Sequence, residues 1–206
     1  MPTSLPAALF RRADESSDLA FYAQPRLVAH IEPETIAAVT QLYRETLPAD
    51  GAILDMMSSW ISHLPAEMQF ARVAATGMNE RELGANPRLT DTAVHDLNAD
   101  PHLPFGDAEF DAVLCCVSVQ YLTRPIEVFA DVARVARPGA PLIVTFSNRC
   151  FPTKAVAAWQ MLDDQGHLDL VATYLQGAGN WTNIEKLDRT APGAPEPLLA
   201  VVARRS

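Results

Sequence analysis

Glycine and cysteine are both scarce in this sequence. Its 206 residues include 9 glycines against 16 prolines, which excludes a collagen-like chain and argues against flexible linkers and glycine-rich binding loops. Its three cysteines are Cys115, Cys116 and Cys150. Two of these are adjacent, and neighbouring cysteines rarely close an unstrained disulfide. We therefore expect free thiols and a reducing, cytoplasmic location.

Positive charge and long apolar runs are lacking as well. There are 16 Lys and Arg against 25 Asp and Glu, a formal net charge of -9, so nucleic acid is not an expected partner. The absence of an 18-residue apolar run predicts no membrane contact, and Met1–Arg12 does not resemble a secretory signal. Histidine and cysteine spacings do not match metal sites, so no metal is expected. The partner these features favour is a small molecule, bound by a monomer or a homodimer.

Apolar runs typical of buried strands alternate with amphipathic stretches typical of helices. Hydrophobic residues make up 49% of the chain, enough for a full core. Helical patterns cover 15–47, 125–136 and 152–163. The predicted strands are 51–57, 70–76, 92–96, 110–118 and 141–146, followed by 182–187 and 198–203 across a turn rich in proline.

This alternation predicts an α/β fold with a mostly parallel sheet and helices on both faces. Five strand–helix units are expected to follow the N-terminal helices, and the last two strands form an antiparallel hairpin. We expect 1–47 to form an N-terminal helical cap. The remaining residues, 48–206, would then form one compact domain.

Four local signatures occur in a characteristic order. The clearest is His95–Leu114, which contains an acid, Leu-Pro-Phe, a turn and Phe-Asp-Ala-Val. The others are Ile53-Leu-Asp55 at the end of the first strand, Val135-Ala-Arg-Pro-Gly139 before the fifth strand, and the terminal hairpin. Over roughly residues 45–205, the chain resembles the class I S-adenosylmethionine-dependent methyltransferases, particularly the small-molecule group called type 11. The resemblance implies a Rossmann-like seven-stranded sheet, methyltransferase activity and S-adenosylmethionine as cofactor.

The resemblance also implies which residues surround the cofactor, outside the carboxyl ends of the strands. The loop after the first strand would approach the methionine part, and a residue after the second would bind the ribose hydroxyls. An acid after the third strand would bind the adenine amino group, and the end of the fourth would face the methyl group. In that order, the implied cofactor-binding residues are Asp55, Ser58, Ser59, Asn79, Asp96, Leu97 and Cys116.

The loop after the first strand departs from the family pattern. The family usually has Asp-x-Gly-x-Gly-x-Gly, whereas this chain has Asp55-Met-Met-Ser-Ser-Trp-Ile-Ser-His63. Serine is small and polar but does not adopt positive φ freely. In one interpretation the loop is rebuilt and still holds the cofactor. In the other, Met57 and Trp60 are core residues and the chain is a catalytically degenerate module that binds a ligand or a partner.

The resemblance places acceptor recognition in the N-terminal helices and in the segment after the fifth strand. The family often has His-His after the fourth strand, where this chain has Gln120-Tyr121, so no catalytic base is predicted. An arginine after the fifth strand could hold an anionic acceptor. The candidate acceptor-binding residues are Tyr22, Arg26, Tyr121, Asn148 and Arg149.

Overall fold

The computed structural model describes residues 5–206, so the first four residues of the expected N-terminal cap lie outside the described part. Seven strands form one sheet in the order β3-β2-β1-β4-β5-β7-β6. β1 to β5 are mutually parallel, and β7 runs antiparallel to both β5 and β6. This confirms the predicted fold class and the terminal hairpin. The strands are β1 Ala52–Ser58, β2 Arg72–Gly77, β3 Asp91–Val94, β4 Ala112–Cys116, β5 Pro141–Phe146, β6 Trp181–Asp188 and β7 Leu199–Arg205.

The helices begin and end at residues suited to helix termini. Two of them start on a proline, whose missing N–H costs nothing in the first turn. The last is capped by the Asp163 carboxylate, which accepts from the Gly166 N–H at 2.8 Å. Within residues 5–206, no helix is long and apolar enough to cross a membrane. The helices are α1 Asp18–Phe21, α2 Pro33–Thr46, α3 Glu80–Ala85, α4 Pro125–Val135, α5 Ala157–Gln160 and α6 Asp164–Ala178.

The core has two layers, one on each face of the sheet. Successive strand residues point to opposite faces, so Ile53 packs with α2 while Leu54 and Met56 pack with α4 and α6. β5 alternates in the same way, with Ile143 on the α2 face. The carboxyl ends of β1 to β5 are thereby held at one edge by a rigid, doubly covered sheet.

Two of the expected strand–helix units lack their helix, which corrects the sequence prediction. Residues 59–71 join β1 to β2, and residues 95–111 join β3 to β4, with no helix in either connection. The first connection is held instead by side chains. The Asn86 amide donates to the Ser59 carbonyl at 3.0 Å, and the Thr40 hydroxyl donates to the His63 carbonyl at 2.9 Å. These tertiary bonds satisfy main-chain groups that a helix would pair internally.

The helix predicted over 152–163 is also wrong in extent. Only the single turn α5 is helical there, and the longer α6, which the sequence pattern missed, follows it. The main chain at 156 and 157 is bonded elsewhere: Val156 N donates to the Gln120 carbonyl at 3.0 Å, and Ala157 N donates to the Arg11 carbonyl at 2.8 Å. Such long-range partners are invisible to a helical periodicity.

Candidate functional site

A cavity of about 290 Å³ lies at the carboxyl ends of the parallel strands, where ligands bind in open α/β sheets. Its wall contains residues from the ends of the first four strands and from the segment after β5. Residues of the N-terminal segment, including Asp18, Tyr22 and His30, complete the wall. The volume is close to the lower end of the range for small-molecule sites.

Most of the residues singled out in the sequence meet at this cavity. Of the seven candidates for cofactor contact, six line it; of the five candidates for acceptor contact, four do. The residues brought together are Asp55, Ser58, Ser59, Asp96, Leu97, Cys116, Tyr22, Arg26, Tyr121 and Arg149.

The structure does not bring Asn79 and Asn148 to the cavity. The Asn79 side chain is the N-cap of α3, where its oxygen accepts two main-chain N–H groups at 3.0 and 3.2 Å. Its amide nitrogen donates to the main-chain oxygens of residues 22 and 23, at 2.8 and 3.2 Å. Both the oxygen and the nitrogen of the Asn79 side chain are thus hydrogen-bonded within the protein. Asn148 is exposed on the outer surface.

Asp55 is a buried carboxylate facing the cavity. It is 3% exposed and accepts a hydrogen bond from the Ser58 hydroxyl at 2.7 Å. Burial raises the pKa of Asp55 to about 6, against the hydrogen bonds from Ser58 and Ser62 that lower it. No lysine, arginine or histidine of the described chain forms an ion pair with it. A cationic ligand would therefore be complementary to this end of the cavity.

Glu82 lines the cavity although the sequence did not single it out. One of its carboxylate oxygens accepts from the Ser59 hydroxyl at 2.5 Å, and the other accepts from the Arg26 main-chain N–H at 2.7 Å. Glu82 lies three residues after the cap Asn79, the spacing of a capping box, and that spacing was the signal available. Here the acid instead joins the loop after β1 and the N-terminal segment to α3.

Three residues of the cavity wall have strained backbone conformations. Met57, His63 and Val117 have φ values of 55°, 53° and 45°, in the left-handed region, and all three line the cavity. Such conformations are unfavourable for bulky residues, and they cluster at functional sites. Met57 stands where the family motif has its first glycine, so the main chain keeps a glycine-like conformation without glycine.

The turn after β3 leaves one acceptor free. One oxygen of Asp96 accepts from the main-chain N–H groups of Asn98 and Ala99, at 2.9 and 3.3 Å. No described residue donates to its second oxygen, while the neighbouring Leu97 is buried. A free carboxylate oxygen beside an apolar side chain suits a planar base with an amino group.

Burial shifts the pKa values of three further side chains in the cavity wall. Burial raises the pKa of Cys116 to about 11 and that of Tyr121, whose hydroxyl accepts from Phe151 N at 2.8 Å, to about 12. Burial, with His30 nearby, lowers the pKa of His63 to about 4. At pH 7 these thiol, phenol and imidazole groups are neutral. Among residues 5–206, no group of three His, Cys, Asp or Glu could hold a metal ion.

Comparisons with known sequences match part of this chain to methyltransferases. Residues 58–144 match a family model described as "Methyltransferase domain". The malonyl-[acyl-carrier protein] O-methyltransferase of Hahella chejuensis (strain KCTC 2396) is 28% identical over 149 residues. The match covers 69% of this chain and 52% of that protein, so the chain spans about half the length of the curated relative.

Comparisons with solved structures show the same fold at low identity. An S-adenosylmethionine-dependent methyltransferase from Mesorhizobium loti has a TM-score of 0.55 and 16% identity, covering 82% of this chain and 98% of that chain. Phosphoethanolamine N-methyltransferase 2 of Haemonchus contortus, solved with S-adenosyl-L-methionine, has a TM-score of 0.58 and 12% identity. That match covers 82% of this chain and 52% of the other.

Proposed function

We propose that this chain, which carries a class I S-adenosylmethionine-dependent methyltransferase domain, transfers a methyl group to a small molecule. The observation that carries the proposal is the buried, unpaired carboxylate of Asp55 in a cavity at the carboxyl ends of the strands. S-adenosylmethionine has a positively charged sulfonium and ammonium group, which complement such a carboxylate. When bound, the cofactor supplies the electrophilic methyl group.

The remaining chemistry of the cavity wall also fits this cofactor. Asp55 and Ser58 offer acceptor oxygens for a cationic methionine part. Asp96 has a free oxygen for the adenine amino group, and Leu97 supplies an apolar surface beside it. We expect these residues, with Ser59, to hold the cofactor, and we leave Asn79 out of the set because its side chain caps α3.

The rebuilt loop after β1 supports a retained binding site more than a closed one. Met57 takes up the left-handed conformation that a glycine would supply. The Trp60 indole N–H donates to the Val28 carbonyl at 3.0 Å, and Trp60 lines the cavity. The missing glycines still favour the alternative, a catalytically degenerate module that binds a ligand or partner without transferring a methyl group.

Methyl transfer by in-line displacement asks the protein mainly to align the reactants and exclude water. The N-terminal segment and the residues after β5 enclose the cavity and can do both. The net charge of -9 argues against a nucleic-acid acceptor and is compatible with a small molecule. The activity of the Hahella relative on malonyl-[acyl-carrier protein] supports an oxygen acceptor.

Three free thiols support a cytoplasmic location.

Calorimetric titration with S-adenosylhomocysteine tests the proposal. We expect micromolar binding to the wild type and to Asp107→Ala, a control at an exposed acid outside the cavity. We expect at least tenfold weaker binding to Asp96→Ala, which removes the free acceptor oxygen. Absence of heat at millimolar ligand in the wild type would reject the enzyme and leave the binding-module alternative.

A further inference from the structure

The Arg26 guanidinium lies in the cavity wall without an acidic partner. Its Nη2 donates to the Phe21 carbonyl at 3.0 Å, while Nη1 is buried without a hydrogen-bond partner. In the described chain, Arg149 pairs with Glu32 and Glu196, but no ion pair includes Arg26. A buried cationic donor without a partner costs free energy, so this position is suited to an anionic ligand.

Aromatic rings hold the guanidinium in place. Its central carbon lies 4.8 Å from the ring centroid of Phe21, 5.7 Å from that of Tyr22 and 5.4 Å from that of Phe151. Cation–π contacts of this kind fix a guanidinium without neutralising its charge. The Tyr121 ring lies 6.0 Å from that of Phe151, so apolar surface extends beside the charge.

The two carboxylates near Arg26 form their hydrogen bonds or ion pairs with groups other than its guanidinium. Both Glu82 oxygens accept hydrogen bonds, from the Ser59 hydroxyl and from the main-chain N–H of Arg26, and neither bond involves the guanidinium. The Asp18 carboxylate is paired with Arg12 at 2.7 Å and with Lys154 at 3.1 Å. The Arg26 guanidinium is therefore not ion-paired with either carboxylate, and its Nη1 N–H groups are left for a ligand.

His30 and His63 of the cavity wall do not add positive charge at pH 7. Burial lowers the pKa of His30, against a nearby Glu82 carboxylate that raises it, and burial lowers the pKa of His63 to about 4. One charge with free N–H groups on Nη1 and Nη2 matches a single carboxylate, which a guanidinium can bind through two hydrogen bonds.

We propose that Arg26 binds the carboxylate of a ligand in the part of the cavity walled by Tyr22 and Phe151. This inference rests on the proposed function, because two ligands of a methyltransferase could bring that carboxylate: the methionine part of the cofactor, or the acceptor. The methionine part of the cofactor is expected beside the loop after β1, whereas Phe151 follows β5, and β4 lies between β1 and β5 in the sheet. This position, together with the surrounding aromatic rings, favours an acceptor with a carboxylate beside an apolar group.

Arg26→Gln tests the proposal by calorimetry with three probes. The probes are S-adenosylhomocysteine; 5′-methylthioadenosine, which lacks the amino-acid carboxylate; and phenylacetate, titrated with and without S-adenosylhomocysteine. If the acceptor carries the carboxylate, the substitution weakens phenylacetate binding at least tenfold and leaves S-adenosylhomocysteine unchanged. If the cofactor carries it, S-adenosylhomocysteine weakens at least tenfold and 5′-methylthioadenosine does not.

Two further variants make the result interpretable. Arg44→Gln removes an exposed arginine that pairs with Glu67, and it should bind all probes like the wild type. Arg26→Lys keeps the charge but loses the two-bond geometry, so its affinity should fall between those of the wild type and Arg26→Gln. Equal affinities of wild type and Arg26→Gln for S-adenosylhomocysteine and for phenylacetate would overturn the proposal. If the wild type binds neither S-adenosylhomocysteine nor 5′-methylthioadenosine, the proposed function is rejected. The titration with phenylacetate alone then still tests whether Arg26 binds a carboxylate.

Discussion

At the scale of single residues, Gly77 and Met57 show opposite relations between residue type and backbone conformation. Gly77 ends β2 where a Cβ atom would lie 2.5 Å from the Ser58 carbonyl oxygen, so only glycine lets the two strand ends approach this closely. Met57 is the opposite case, because β1 is irregular between Asp55 and Ser58 and Met57 has a φ of 55° there. Its conformation is one that glycine adopts freely and methionine does not.

An alanine variant is usually more stable than the glycine variant at the same position, and we expect this order of stability to reverse at Met57. Met57→Ala and Met57→Gly lose the same side chain beyond Cβ, so comparing them isolates the conformational strain. At φ 55° the strain on alanine, about 1 kcal/mol or more, should outweigh the greater backbone entropy of glycine. Urea denaturation should therefore show Met57→Gly to be as stable as Met57→Ala or more stable.

The exposed Gln41, in the middle of α2, provides the matched comparison. At this helical position alanine should exceed glycine in unfolding free energy by about 1 kcal/mol. If alanine exceeds glycine at Met57 by the same amount, the left-handed conformation at this residue is not a source of strain.

The candidate residues could be named from the sequence, but their partners could not. The motif order was enough to identify Asp55 and Asp96 as residues of the cavity. Arg149 lines the cavity as well, yet its partner Glu32 is 117 residues away in sequence. No local pattern indicates that this arginine is paired and that Arg26 is not.

At the scale of elements, the N-terminal segment is attached to the sheet edge by a buried charge cluster. The Lys154 ammonium lies 2.7 Å from the Ser16 carbonyl, 3.1 Å from an Asp18 oxygen and 3.3 Å from an Asp14 oxygen. Lys154 follows β5, whereas its partners precede Tyr22 and Arg26. The cluster therefore holds the segment that contains Tyr22 and Arg26 over the cavity.

Replacing Lys154 by methionine should destabilise the protein. Removing one member of a buried charge cluster leaves carboxylates without compensation, which typically costs several kcal/mol. Because Arg12 still pairs with Asp18, we expect a loss of about 2–3 kcal/mol in urea unfolding. Proteolysis should also cut the N-terminal segment sooner than in the wild type.

Lys186 serves as the control, since it forms an exposed ion pair with Asp169 at 2.7 Å. Exposed pairs contribute about 0–1 kcal/mol, so Lys186→Met should be nearly as stable as the wild type. Equal losses for the two lysines would show that the buried cluster has no special role.

Strands were predicted better than helices in this chain, for a physical reason. β5 occupies the predicted residues 141–146, because a fully buried strand is apolar along its whole length. The pattern over 152–163 has helical spacing. Val156 and Trp159 are buried, however, in a single helical turn whose first main-chain N–H groups bond to distant parts of the chain. Periodicity reports which residues are buried and does not report where the main-chain hydrogen bonds go.

At the scale of the whole molecule, the order of strands and helices predicted a mostly parallel sheet with a terminal hairpin, and the family resemblance added the edge at which the site lies. Ligand sites of open α/β sheets lie at the carboxyl ends of the strands, and most of the candidate residues meet there. Asn79 and Asn148 show that the local loop structure still decides which side chains reach the cavity. The two connections without helices were not foreseeable, since only the folded chain supplies the side chains that hold them.

The dependence of global stability on pH should reveal the buried carboxylate of Asp55. The pKa of Asp55 is about 6 in the folded protein, against an ordinary aspartate value of 3.8, so the folded state binds the proton more tightly than the unfolded state. The unfavourable contribution of Asp55 is therefore complete above pH 6, shrinks as the pH falls from 6 to 4, and vanishes below. A shift of this size corresponds to a few kcal/mol at most.

Comparing the wild type with Asp55→Asn isolates this contribution from that of the other carboxylates. We expect Asp55→Asn to be more stable at pH 8, by about 1–3 kcal/mol in urea unfolding, and the difference to disappear near pH 4. Asp91→Asn should behave oppositely, since the hydrogen bond from Arg72 lowers the pKa of Asp91 and its stabilisation is lost as the pH falls. A difference between wild type and Asp55→Asn that is constant from pH 4 to pH 8 would mean that Asp55 titrates normally.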